Sequence, residues 1–453
     1  MPGQRIHIIG IGGSGASGLA RYLHSIGFEV SGSDIERDRT VALKQLGLKI
    51  ADSHSATNIE SPDLVLISPG VFAADKELAA AKRKNTPVLS WQEFMGKYLT
   101  RRPGKGFMVA GTFGKGSTAA ILTHILEAAY LNPLAILGVE DVSWKSNLQA
   151  GFGDFWVLEA DEYNRHFHHF HPSYALLTSL EHEHLSTYPT FDDYLAGFAT
   201  FFQGMAEPKV VVVKRTPAID AAQNKLLPTG GAITFSMTEE ADVRGKLLKS
   251  DLSGSLFEVT APRFNLAVRQ FHLPVPGWIH VENAVGAMAL SLAAGISENA
   301  LPAGLATFRG LRQRFEVVQT GPYVTIYDYA HTPDRISPLI AQARQLFPGR
   351  RVIVLFEPHL YSRTLQFREE FTKVLLEADR SYITDIHPSR EALSDLGKSI
   401  HSKDLTVNAG EKIVYAGTRD QGVELVLKNR TERDVVLVVG AGPIQYAAAR
   451  LAH

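Results

Sequence analysis

Short apolar runs recur along this chain, each ending in a polar or glycine-rich turn and most followed by a stretch of helical spacing. Residues 6–9 read as a strand, a helical pattern passes through Leu19 and Leu23 to Gly27, and residues 28–30 start a strand ending in Ser31-Gly-Ser-Asp34. The runs 64–67 and 87–89 flank a helix expected over about 75–84. Further strands fall at 107–110, 155–158, 174–178 and 210–213, with helices at 119–127 and 281–290. Residues 230–275 alternate in short β-like pieces, which suggests an antiparallel excursion. Strands at 323–327, 351–356, 380–384 and 435–439 again alternate with helical segments. This alternation predicts an α/β fold with mainly parallel sheets, and 453 residues imply about three domains. Boundaries are expected in the linker 101–106 and near 310, giving domains 1–103, 104–310 and 311–453.

Two turns have the composition of anion cradles. Gly10-Ile-Gly-Gly-Ser-Gly15 joins a strand to a helix and has Asp34 about 20 residues on, a Rossmann-like pattern that admits a nicotinamide cofactor or another nucleotide. Gly111-Thr-Phe-Gly-Lys-Gly-Ser-Thr118 also lies between strand and helix. It is a shortened Walker loop, with two residues rather than four between its first glycine and Gly114-Lys115. Backbone N–H groups at such a helix start hold phosphate oxygens, and the lysine adds a point charge.

Acids gather close to this loop. Glu159-Ala-Asp-Glu162 follows one strand and Ser179-Leu-Glu-His-Glu-His184 the next, where a nucleotide-bound Mg2+ would be held. The last third repeats the pattern with Asp328-Tyr-Ala-His331, Glu357-Pro-His-Leu-Tyr-Ser-Arg363, Asp385-Ile-His387 and Gly440-Ala-Gly442, at the strand ends where open α/β sheets place ligands. His166, His168, His169 and His171 match no familiar zinc spacing, and Pro172 ends their run.

Composition narrows the function further. Lys and Arg number 46 against 47 Asp and Glu, for a net charge of −1, and no basic tract marks a nucleic-acid or anionic-membrane surface. The absence of cysteine excludes disulfides, thiolate metal sites and a cysteine nucleophile. The longest mainly apolar stretch, 284–296, is too short to span a bilayer, and no signal-like segment opens the chain. A cytoplasmic protein without membrane insertion is expected.

Taken in order from residue 9 to about 442, these motifs resemble the Mur ligase family, most of all the branch that adds L-alanine to UDP-N-acetylmuramate. The resemblance implies a Rossmann-like N-terminal domain for the UDP-sugar, a central P-loop ATPase domain and a C-terminal α/β domain. Gly12, Gly13, Ser14, Asp34 and Ser68 would bind the sugar nucleotide. Gly111, Thr112, Gly114, Lys115, Gly116 and Ser117 would form the ATP loop, with Asn283 at the adenine, Arg314 at the phosphates and Asp328 at the ribose. Ser117, Glu159 and His184 would hold Mg2+, His359 and Arg363 would face the substrates, and Lys115, His184 and His331 would act in catalysis. The implied reaction is ATP-dependent amide formation through an acyl phosphate, giving ADP and phosphate, in peptidoglycan precursor synthesis by a monomer or weak homodimer. Two other readings fit the same motifs: a recycling ligase that attaches a tripeptide, and a nucleotide-sugar-binding protein that has lost catalysis.

The chain also departs from the branch. Phe113 and Gly116 replace His and a hydroxyl residue in its Gly-Thr-His-Gly-Lys-Thr-Thr loop, which leaves Ser117 to supply the hydroxyl. Ser179 stands for Asn, Glu183 for Asp and Leu360 for Arg. No lysine lies between His184 and Lys209 to serve as the carbamylated lysine of other members.

Overall fold

Three sheets carry the described residues of the chain. The computed structural model describes residues 3–71, 75–101, 104–227, 231–321, 323–391 and 399–451. Arg102 and Pro103 of the expected linker lie outside the described residues.

The first sheet contains β1 (Arg5–Ile9), β2 (Glu29–Ser33), β3 (Lys49–Ala51), β4 (Leu64–Ile67) and β5 (Val88–Ser90), all parallel, in the order β3-β2-β1-β4-β5. Its central strands β1 and β4 are buried apolar runs, as expected of strands covered by helices on both faces.

The second sheet holds β6 (Lys105–Ala110), β7 (Leu134–Asp141), β8 (Ser146–Ala150), β9 (Phe155–Glu159), β10 (Tyr174–Leu177), β11 (Val210–Lys214), β12 (Ile233–Ser236), β13 (Val243–Asp251), β14 (Gly254–Ala261) and β15 (Leu266–Leu273). Their order is β15-β14-β13-β12-β11-β10-β6-β9-β7-β8. The expected antiparallel excursion is the pair of hairpins β13-β14-β15, while β12 and its neighbours run parallel. A further antiparallel hairpin, β7-β8, closes the opposite edge.

The third sheet contains β16 (Glu316–Gln319), β17 (Val324–Asp328), β18 (Arg351–Phe356), β19 (Arg380–Thr384), β20 (Ile413–Gly417) and β21 (Asp434–Val439), in the order β16-β17-β21-β18-β19-β20. Only β16 is antiparallel to its neighbour.

The chain forms two compact units, Met1–Arg309 and Gly310–His453. The first two sheets thus share one unit. Their apolar residues join in a single core, where Leu19 and Leu23 of the helix Ser14–Ser25 lie with Ile136 and Trp156 of the second sheet. The second unit has a buried cluster on each face of its sheet. Among the described residues no helix is long and apolar enough to cross a membrane.

Candidate active site

The phosphate loop grows directly out of β6, whose residues 106–110 are buried and fix its exit. Gly111 leaves the strand at φ 122°, and a Cβ there would lie 2.4 Å from Thr178 Oγ1, so the position requires glycine on both counts. Thr112 Oγ1 donates to Glu181 O at 3.0 Å and accepts from Glu181 N–H at 2.9 Å, which pins the loop to the segment after β10. Phe113 N–H donates to Ser179 Oγ at 2.8 Å. Serine in place of asparagine at 179 therefore still supplies an acceptor to the loop.

Helix Lys115–Ala128 begins after Gly114, which sits at φ 77° and offers no side-chain cap. The first-turn amides of this helix point their partial positive charge at whatever occupies the loop. Ser117 lies buried in that turn. Asn283, on helix Trp278–Ala293, reaches the same loop: Thr118 Oγ1 donates to its Oδ1 at 3.3 Å, and a Cβ on Gly114 would meet that oxygen at 2.5 Å.

Lys115 Nζ donates to Gly111 O at 2.6 Å and to both Glu162 oxygens at 3.1 and 3.2 Å. His184, in a left-handed backbone conformation at φ 56°, brings Nε2 to 3.5 Å from Glu162 Oε1. Glu162, Glu183 and His184 converge, each with one ligand atom within 4.8 Å of the others. Burial pushes the Glu162 carboxyl up, but the Lys115 ammonium and the His184 ring outweigh it and bring it down to about 2. A buried, ionised carboxylate with a second acid and an imidazole fits a hard divalent cation beside a phosphate loop.

Of the metal set expected from the sequence, Ser117, Glu159 and His184, only His184 belongs to this cluster. Glu159 closes β9, and its carboxylate accepts from Gly138 N–H at 2.5 Å while lying against Gly116 of the loop. The acids gathered with His184 are Glu162 and Glu183, not Glu159. Glu162 stands three residues beyond the strand end, in the same acidic motif. Because the chain turns sharply there, no sequence period could choose between the two. A second cluster, His54, Asp75 and Glu77, is built into the fold. Asp75 caps helix Lys76–Arg83, and Glu77 accepts from Ser33 and Asn58. The histidines at 166, 168 and 171 are engaged separately, His166 with Gln92 and Asp161, His168 with Gly197 O, and His171 with Gly204 O.

In the first sheet, Gly12 N–H donates to Asp34 Oδ2 at 2.8 Å, and Asp34 Oδ1 accepts from Glu36 N–H at 2.9 Å. A Cβ on Gly13 would lie 2.8 Å from Ser68 Oγ, and Ser14 opens the following helix. Gly12, Gly13, Ser14, Asp34 and Ser68 thus share one end of this sheet.

The second unit gathers its own polar groups. Asp328 accepts from Phe315 and Ala330 N–H, each at 2.7 Å, and burial raises its carboxyl against the pull of Arg314. Arg314 stacks over the Tyr329 ring at 4.8 Å. Burial, with Arg335, Arg363 and His359 nearby, holds His331 well below its ordinary value and so neutral. Its Nδ1 lies 2.9 Å from Tyr329 O, which assigns the proton to Nδ1 and leaves Nε2 as an acceptor. The His359 ring is 6.1 Å from His331 and 5.6 Å from His387, and Arg363 Nη1 is 3.4 Å from His359 Nδ1. Leu360 is buried at φ 73°, so the position vacated by arginine is filled by an apolar side chain. His387 is a residue the sequence reading did not assign. Its place follows from a backbone bridge to His359 that extends the β18-β19 pairing.

Three family models cover the three sheets in turn. The Mur ligase family, catalytic domain model matches residues 5–102, the Mur ligase middle domain 109–291 and the Mur ligase, glutamate ligase domain 313–442. The UDP-N-acetylmuramate--L-alanine ligase of Chlorobaculum tepidum is 34% identical, covering 99% of this chain and 95% of its own length. The corresponding protein of Burkholderia lata is 32% identical, covering 99% and 98%. The crystal structure of UDP-N-acetylmuramate-alanine ligase from Thermotoga maritima superposes with a TM-score of 0.82 at 29% identity, covering 99% of this chain and 98% of that one. The chain belongs to the Mur ligase family. It is an ATP-dependent amide ligase, and the family's reaction requires Mg2+.

Proposed function

We propose that the protein joins L-alanine to the lactyl carboxylate of UDP-N-acetylmuramate in the cytoplasm, releasing ADP and phosphate, as a monomer or weak homodimer. The observation that carries this reading is the convergence of Lys115, Glu162, Glu183 and His184 on an uncapped helix start. The substrates come from the names of the full-length relatives. We assign domains 1–103, 104–310 and 311–453 as the sugar-nucleotide, ATP and C-terminal ligase domains.

Amide formation from a carboxylate at neutral pH needs activation. The lactyl carboxylate oxygen attacks the γ-phosphorus of ATP, the bond from that phosphorus to the β,γ-bridging oxygen breaks, and ADP leaves. The amine nitrogen then attacks the acyl carbon, the carbon–oxygen bond to phosphate breaks, and the amine gives up a proton. Two anions meet in the first step, so fixed positive charge governs its rate. Lys115 and the first-turn amides of its helix supply that charge on the β,γ-phosphates, and Glu162, Glu183 and His184 would hold Mg2+. A cation held there would neutralise triphosphate charge. Ser117 and Glu159 border the same loop. Neutral His331 offers Nε2 to the amine proton. Asn283, Arg314, Asp328, His359 and Arg363, with Gly12, Gly13, Ser14, Asp34 and Ser68, keep the binding roles the family likeness gives them.

Phosphate release from ATP, measured with Mg2+, UDP-N-acetylmuramate and L-alanine, L-serine, glycine or the murein tripeptide in turn, tests this. Release that needs the sugar nucleotide and is fastest with L-alanine is expected. Preference for the tripeptide would reassign the second substrate, and no release with any amine would sink the enzyme reading.

A further inference from the structure

The reaction requires the carboxylate of a sugar nucleotide bound at one sheet's turn to meet a phosphate held by another's loop. Reacting atoms must come to about 3–3.5 Å, and a misplacement of about 1 Å costs on the order of a hundredfold in rate. Something must set the two turns in register. Asn147 is a buried side chain that links the two sheets carrying them. Asn147, on β8, points its amide into the seam between the first two sheets. Its Nδ2 donates to Ser14 O at 2.5 Å, with Ser17 Oγ at 3.2 Å and Leu137 O at 3.4 Å.

Each end of that contact leads to a substrate turn. Ser14 is the first residue of the helix that follows Gly12-Gly13. Leu137 precedes Gly138, whose N–H donates to Glu159, and Glu159 in turn lies against Gly116 of the phosphate loop. Gly18 independently marks the seam as closely fitted. A Cβ there would lie 2.8 Å from Ile136 Cγ2 and 3.0 Å from Asn147 Nδ2.

We propose that Asn147 is a positioning residue that sets the sugar-nucleotide turn in register with the phosphate loop. This rests on the ligase reading above. The chemistry asks for an amide: two carbonyl oxygens converge on Nδ2, and only a donor satisfies them. Asp at this position would turn lone pairs toward Ser14 O and Leu137 O.

Hydrogen exchange tests the proposal in the full-length protein, with Mg2+ and a non-hydrolysable ATP analogue as probe. In the wild type, protection is expected over 111–118 and also over 11–17. In Asn147→Asp the protection at 111–118 remains and that at 11–17 is lost. Steady-state kinetics of the same variant should show kcat lowered about 10- to 100-fold, with the KM for ATP within about twofold of wild type. Asn147→Ser, which keeps a hydroxyl donor, should recover part of kcat, and Asn147→Leu, similar in size and without a donor, takes the place of Asn147→Asp in both measurements if that variant does not fold. Unchanged protection at 11–17 in the variant, or its absence in a wild type protected at 111–118, overturns the proposal and leaves the ligase reading standing. A fall in melting temperature with unchanged kcat would likewise reduce Asn147 to a structural contact. No protection at 111–118 in the wild type would remove the ligase reading and this inference with it.

Discussion

Glu162 shows how far one residue can depart from its solution behaviour. Its carboxylate is buried, yet Lys115 and His184 keep it ionised. If it is the metal ligand, Glu162→Gln should weaken Mn2+ binding, followed by titration with ATP present, about 10- to 100-fold. Glu159→Gln should weaken it less, and the reverse order would restore Glu159 as the principal ligand. The sequence located this acidic motif but could not choose between Glu159 and Glu162, because Glu162 lies beyond a regular strand and its position depends on a turn. His280 carries a second prediction. Burial lowers its imidazole to about 4, and its Nδ1 has no hydrogen-bond partner among the described residues. The unfolded chain takes up this proton below about 6.5 and the folded one only near 4, so stability falls as pH drops through that window. The urea midpoint of His280→Gln should decline less between pH 6.5 and 4 than that of wild type, and equal slopes would contradict the assignment.

At the scale of elements, continuous apolar runs were the readable signal. The strands at 6–9, 64–67, 107–110 and 155–158 stand where their hydrophobic residues put them, because buried parallel strands need no alternation. The hairpin β7-β8 was not legible: Gly138, Glu140, Asp141 and Lys145 interrupt it, and its pairing is irregular between Ile136 and Asp141. Helix Lys115–Ala128 begins four residues before its apolar spacing does, since Lys115, Gly116 and Ser117 serve the loop rather than the core. The loop's backbone is open to a direct test. Gly111→Ala combines a φ of 122° with a Cβ 2.4 Å from Thr178 Oγ1, whereas Gly47→Ala has φ 87° and open space around it. Gly111→Ala is expected to abolish measurable ATP binding and to destabilise beyond the roughly 1–3 kcal/mol of backbone strain. Gly47→Ala should show only that strain and bind ATP normally. Normal ATP affinity in Gly111→Ala would contradict the cradle.

At the scale of the molecule, the three-part order of sheets was legible from alternating strands and helices, but the union of the first two in one unit was not. That union depends on the helix Ser14–Ser25 lying against β7 and β8, where Gly18 and Asn147 meet across more than a hundred residues of chain. No local pattern encodes such a contact. The same geometry fixes the turn at Gly12-Gly13 and the loop 111–118 on a shared body. The account stands or falls on whether a carboxylate attacks phosphorus in that setting. The most direct measurement is mass analysis of the phosphate released when UDP-N-acetylmuramate, carrying oxygen-18 in both lactyl carboxylate oxygens, reacts with ATP and L-alanine in ordinary water. One labelled oxygen in each phosphate, with the other retained in the new amide, is the predicted result. Unlabelled phosphate would mean that water rather than the sugar carboxylate takes the phosphoryl group, and would contradict the account.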